Sequence, residues 1–214
     1  DPLARESQIL PGWGVEQIAR MGADGVKLLI YYHPDAPNAA DQRALVAEVG
    51  AACREYDIPF FLEPLSFSLD PAVKKLSSAE KRRVVVETAR TMTPLGVDVL
   101  KAEFPVNLDE PDEAVWAAAS VCPWIILSAG VTFEEFARQT EVACRSGASG
   151  VLAGRAVWAE AAELAPAERG EFLRTVATNR MGRLTEIITA NGRPWTDYYP
   201  DIAAGVGEGW YKSY

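Results

Sequence analysis

The chain has 214 residues, 49% of them apolar, and its 30 acidic against 21 basic residues give a formal net charge of −9. This suits one globular domain with a sizeable core and argues, on bulk electrostatics, against a nucleic-acid or anionic-membrane partner. No apolar run approaches the roughly 18 residues of a spanning helix, and Asp1-Pro2-Leu3-Ala4-Arg5 has no leader pattern. Cys53, Cys122 and Cys144 are odd in number and lack paired spacing. They predict a reduced, cytoplasmic setting with the thiols packed as small hydrophobes.

In chain order, the first apolar run is residues 25–32 (GVKLLIYY), preceded by Gly22 where a helix would end. Residues 59–67 (PFFLEPLSF) form the second run, and Ser77-x-x-Glu80 after it reads as a capping box. The third run is 97–105 (VDVLKAEFP) and the fourth is 124–131 (WIILSAGV), followed by a second capping box, Thr132-x-x-Glu135. Gly147 marks another helix end before the fifth run, 150–158 (GVLAGRAVW). Runs nearly continuous in apolar residues suit strands covered on both faces. Their alternation with helical stretches predicts βα repeats and a parallel sheet. The segments Gly22-Ala23-Asp24-Gly25-Val26 and Gly147-Ala148-Ser149-Gly150-Val151 echo one another as helix-to-strand connections.

A complete (β/α)₈ barrel needs eight strands and typically about 250 residues. Five strands are legible, and residues 1–11 carry no strand pattern. The expectation is a single domain over 1–214 with either an open sheet or its first strands upstream of Asp1. Residues 193–214 hold Trp195, Tyr198, Tyr199, Trp210, Tyr211 and Tyr214. They are expected to form an arm docked on the barrel wall, a lid or subunit contact being the functional alternative.

Charges inside apolar strands are the informative anomaly, because burying a charge is costly. Lys27, Glu63, Lys101, Glu103 and Arg155 all fall in the runs. By the alternation of side chains, Lys27 shares a face with Leu29 and Tyr31, Glu63 with Phe61 and Leu65, and Lys101 with Glu103. Near the C-terminal strand ends, where barrel active sites form, such a group reads as a site; structural pairing of Lys with Glu is the alternative. An amine attacks a carbonyl only when unprotonated, and burial or a nearby cation favours that form. Lys27 could be that cation for Lys101, and a carboxyl such as Glu63 could move protons. Ser128-Ala129-Gly130 and Gly154-Arg155 would offer backbone N–H groups and a guanidinium to a phosphate. With one histidine in the chain, no zinc-type ligand set is legible and a metal-dependent reaction is disfavoured. No cofactor or metal is expected, and His33 reads as a loop residue.

The segments DGVKLLIYY, IPFFLEPL, VDVLKAEFPVN, ILSAGV and LAGRAVW together resemble the successive strands of the tagatose-1,6-bisphosphate aldolase family. These are class I aldolases that also include sulfofructose-phosphate aldolases, and the resemblance runs from about Leu10 to about Asn191. It implies a TIM (β/α)₈ barrel of which this chain holds the fourth to eighth strands. It further implies that Lys101 is the Schiff-base lysine, that Lys27 and Glu63 line the site with Glu63 as proton shuttle, and that Ser128, Gly130, Gly154 and Arg155 hold a phosphate. The expected activity is cleavage of a phosphorylated ketose, tagatose 1,6-bisphosphate above others, by a cytoplasmic homo-oligomer. Alternatives are a sulfofructose-phosphate aldolase, a Schiff-base lyase acting on 2-keto acids, and a non-catalytic metabolite-binding protein on the same scaffold. The family's first three strands have no counterpart here, and His33 has no family equivalent.

Overall fold

A computed structural model describes residues 3–105, 119–203, 207 and 209. Five strands form one parallel sheet in sequential order: β1 (Val26–Tyr32), β2 (Phe60–Ser66), β3 (Val99–Ala102), β4 (Trp124–Leu127) and β5 (Gly150–Leu152). The helices between them are α1 (Val15–Arg20) before β1, α2 (Ala39–Glu55), α3 (Ser78–Met92) and α4 (Phe133–Arg145). After β5 come the short α5 (Arg155–Trp158), α6 (Pro166–Phe172) and α7 (Thr178–Asn191). A π-helical stretch, Leu173–Ala177, joins the last two. Successive parallel strands joined by helices on one face are the architecture of a (β/α)₈ barrel, and the described residues supply five consecutive strands of it, the connection from β3 to β4 lying outside them.

The helix starts follow the predicted chemistry. Ser77 Oγ accepts the Glu80 N–H at 3.2 Å and Thr132 Oγ1 accepts the Glu135 N–H at 3.3 Å. Each satisfies one amide that the first helical turn leaves without a partner. Gly22 and Gly147 have φ of 85° and 103°, the left-handed conformation that ends a helix most easily at glycine.

Side-chain alternation then sorts each strand. On the helix-covered face, Ile30, Tyr32, Phe60, Leu62, Leu100 and Ile126 are buried, packed with Val46 of α2, Met92 of α3 and Phe136 of α4. The opposite face carries Lys27, Leu29 and Tyr31 of β1, Glu63 of β2 and Lys101 of β3. On it Leu29 and Tyr31 are 38% and 39% exposed, so this apolar face is open rather than packed.

Two strand ends differ from the sequence expectation. The fifth run breaks after Leu152, and Arg155 begins α5 instead of lying in a strand. The third strand stops at Ala102, so Glu103 escapes the alternation rule. Its Oε2 accepts the Ser66 N–H at 2.6 Å, and Lys81 of α3 lies 3.5 Å from its Oε1. Glu103 thus ties β2 to α3 and does not join Lys101.

Tyr198 donates to Gly147 O at 3.2 Å, and Tyr199 donates to Asp98 O at 2.9 Å. Both acceptors precede their strands. The described part of the aromatic segment therefore seats at the N-terminal strand ends, away from the open C-terminal edge. Trp210, Tyr211 and Tyr214, like Val106 and Asn107, lie outside the described residues.

Candidate active site

Three of the in-strand charges meet. Leu29 of β1 is paired with Glu63 of β2, and the β2–β3 register, Phe61 with Val99 and Leu62 with Leu100, brings Lys101 opposite Glu63. Lys27 lies one two-residue step earlier on the same face and reaches forward. Glu63 Oε2 is 2.6 Å from Lys27 Nζ and 2.9 Å from Lys101 Nζ. The Glu63 side chain is 9% exposed, Lys101 18% and Lys27 46%, so the carboxylate is enclosed, the amine of Lys101 is sheltered and that of Lys27 opens to solvent. Oε2 is buried, and both ammonium groups lie in close ion-pair contact with it. Burial pushes the Glu63 carboxyl up, but the ammonium groups of Lys27 and Lys101 outweigh it and hold the group below the usual carboxylate range. Glu63 is thus a carboxylate at neutral pH, able to accept a proton beside the sheltered amine of Lys101.

A second group gathers at the ends of β4 and β5. Ser128, buried, directly follows β4, and Ala129 and Gly130 both take left-handed backbone, with φ of 48° and 78°. The turn carries the chain back so that a Cβ on Gly130 would stand 3.4 Å from Arg155 Cζ. A Cβ on Gly154 would stand 3.9 Å from Ser128 Oγ. Ser128, Gly130, Gly154 and Arg155 therefore converge, with the exposed guanidinium of Arg155 above the glycine. Glycine fits here on two counts: the backbone is left-handed and the arginine leaves little room for a side chain.

His33 lies in the loop directly after β1, as expected, and is buried there. Its Nδ1 accepts the Asp35 N–H and its Nε2 lies 3.2 Å from Glu80 Oε1, edge-on to Phe67. His33, Asp35 and Glu80 have metal-type spacing. The Arg83 guanidinium, however, already bonds Asp35 at 2.6 Å and Glu80 at 2.8 Å, which makes the group an ion-pair network. Sequence reasoning missed Arg5. Its guanidinium lies over the rings of Tyr31 and Phe67 at the open edge of β1 and β2. A lone arginine in a segment without strand or helix pattern gave no signal for this.

Known proteins agree with the architecture. The archaeal fructose 1,6-bisphosphate aldolase has a TM-score of 0.59 at 19% identity, covering 85% of this chain and 64% of that one. A second structure, an archaeal fructose-1,6-bisphosphate aldolase with the catalytic lysine covalently bound to the carbinolamine intermediate of the substrate, has a TM-score of 0.55 at 21% identity. It covers 83% of this chain and 62% of that one. In sequence, the tagatose 1,6-diphosphate aldolase of Lactococcus lactis is 34% identical over 216 residues, covering 86% of this chain and 66% of the relative. Tagatose 1,6-diphosphate aldolase 2 of Streptococcus mutans is 32% identical over 225 residues, covering 91% and 68%. The chain thus spans about two thirds of the length of these relatives. The family model described as "DeoC/LacD family aldolase" matches residues 2–160. Lys27, Glu63, Lys101, Ser128, Gly130, Gly154 and Arg155 all lie within that match, and the chain belongs to the DeoC/LacD family of aldolases.

Proposed function

We propose that the protein is a class I aldolase that cleaves a phosphorylated ketose, tagatose 1,6-bisphosphate, to dihydroxyacetone phosphate and an aldehyde phosphate, with Lys101 as nucleophile. The observation that carries the reading is the single carboxylate oxygen of Glu63 held between two lysines, one sheltered and one open. Lys101 Nζ adds to the C2 carbonyl of the ketose, and loss of water leaves an iminium. Glu63 accepts the proton of the C4 hydroxyl, the C3–C4 bond breaks, and its electron pair moves into the iminium to give an enamine. The aldehyde leaves. A proton returned to C3 and hydrolysis by water then release dihydroxyacetone phosphate and restore Lys101. Lys27 supplies a second positive charge beside the reacting nitrogen and balances Glu63.

Ser128, Gly130, Gly154 and Arg155 take the phosphate next to the reacting carbonyl. A guanidinium matches phosphate with two parallel hydrogen bonds, and this one meets no carboxylate among the described residues. Among those residues, too, no helix is long and apolar enough to cross a membrane. The test is steady-state release of dihydroxyacetone phosphate from tagatose 1,6-bisphosphate by the parent and by Arg155→Ala. The variant is expected to raise KM about 10- to 100-fold, the loss of a hydrogen bond to a charged group. Unchanged KM and kcat would remove Arg155 from the site, and no release by the parent would count against the activity itself.

A further inference from the structure

The reaction so described uses Lys101, Glu63, Lys27 and the anion group at β4 and β5, and it leaves Arg5 without a part. The Arg5 guanidinium lies 4.7 Å from the centre of the Tyr31 ring and 5.0 Å from that of Phe67. Aromatic faces hold a cation in place but do not neutralise it. Arg83, Arg145 and Arg180 each meet a carboxylate; among the described residues Arg5, like Arg43, Arg54, Arg138, Arg155 and Arg169, meets none. In a chain of net charge −9, an oriented guanidinium without a counter-charge is a local site for an anion.

Its place in the sheet says which anion. Tyr31 shares a face with Lys27 and Leu29, and Leu29 is level with Glu63. Tyr31 therefore stands one two-residue step, about 7 Å, beyond Glu63 towards the C-terminal edge. Phe67 follows β2 directly. Arg5 thus lies on the β1–β2 side of the Glu63–Lys101 pair, and Arg155 lies on the β5 side. At about 4.8 Å per strand the two guanidiniums are separated by three to four spacings, at most roughly 14–19 Å across a curved sheet, with Lys101 between them. That suits an extended sugar with an anion at each end and its carbonyl at the lysine.

We propose that Arg5 binds the terminal oxyanion, phosphate or sulfonate, at the end of the ketose remote from Arg155, and so selects substrates charged at both ends. The assignment rests on the Schiff-base aldolase reading above. Tyr31 and Phe67 fix the plane of the guanidinium, so its paired donors are oriented before substrate arrives.

The test compares the full-length parent, Arg5→Ala and Arg5→Lys on tagatose 1,6-bisphosphate, on fructose 1-phosphate bearing a 6-sulfonate, and on tagatose 1-phosphate. Arg5→Ala is expected to lower kcat/KM about 10- to 100-fold, through KM, on the doubly charged substrate the parent prefers. Tagatose 1-phosphate should be unaffected, and Arg5→Lys should recover part of the loss. Whether the loss falls on the phosphate or the sulfonate identifies the oxyanion. An equal loss on tagatose 1-phosphate, or none on either doubly charged substrate, overturns the assignment. Borohydride trapping of tagatose 1-phosphate on Lys101 separates the two claims. Trapping without discrimination by Arg5 refutes the role of Arg5 alone, whereas no trapping in the parent refutes the aldolase reading and this assignment with it.

Discussion

At the scale of single residues, the proposed chemistry turns on one carboxylate oxygen shared by two lysines. Side-chain parity is enough to place Lys27, Glu63 and Lys101 on definite faces of their strands, because all three lie inside them. The same rule misplaces Glu103, one residue past the end of β3, where the backbone turns and its carboxylate caps the Ser66 N–H instead. Local pattern places His33 correctly in a loop but leaves out the rest: burial and its link to Glu80, 47 residues away, are tertiary facts that no short segment carries. Glu63 supports a signed prediction. A carboxyl held below its ordinary value favours folding at any pH above that value, about 4.3 for Glu. It loses that contribution as the pH falls through the lower folded value. The stability difference between the parent and Glu63→Gln should therefore be largest near neutrality and shrink in acid. Denaturant titrations at neutral and acid pH measure it, and a difference that grows on acidification contradicts the ion-pair geometry.

At the scale of elements, boundaries are legible where capping side chains and glycines mark them and slip where apolar runs outlast their strands. Ser77, Thr132, Gly22 and Gly147 each sit at a helix end as expected. The run 150–158 reads as strand throughout, yet only three residues pair with β4 before the chain turns into α5. Apolar composition cannot distinguish a short strand followed by a buried helical turn from one longer strand. Gly50, in the middle of α2, shows what sequence pattern leaves out. A Cβ there would collide with Leu95 O and stand 3.2 Å from Gly96 Cα. Gly96 is itself left-handed, with φ of 90°. On an isolated helix alanine would be the better residue; here the close approach of α2 to the turn before β3 reverses the sign. Gly50→Ala is expected to cost roughly 1–3 kcal/mol by overpacking, read from denaturant midpoints. An equal or more stable variant would show that the turn can move aside.

At the scale of the molecule, parallel strands in chain order, helices on one face and the charged cluster on the other bring Arg5, Arg155 and a lysine pair to one edge. This order is legible in the sequence because every strand is locally marked. The uncovered face of the sheet is not, since exposure of Leu29 and Tyr31 depends on what stands opposite them. The edge arrangement has one purpose in this account: to hold a doubly charged ketose with its carbonyl at Lys101. The most direct test treats the full-length protein with tagatose 1,6-bisphosphate and borohydride and maps the added mass by peptide. The account predicts one reduced adduct, on the peptide containing Lys101, absent from Lys101→Met. That variant should still fold, because Lys27 continues to balance Glu63. Labelling at Lys27 would exchange the roles of the two lysines, and turnover of the ketose with no reduced adduct on either would contradict the Schiff-base mechanism.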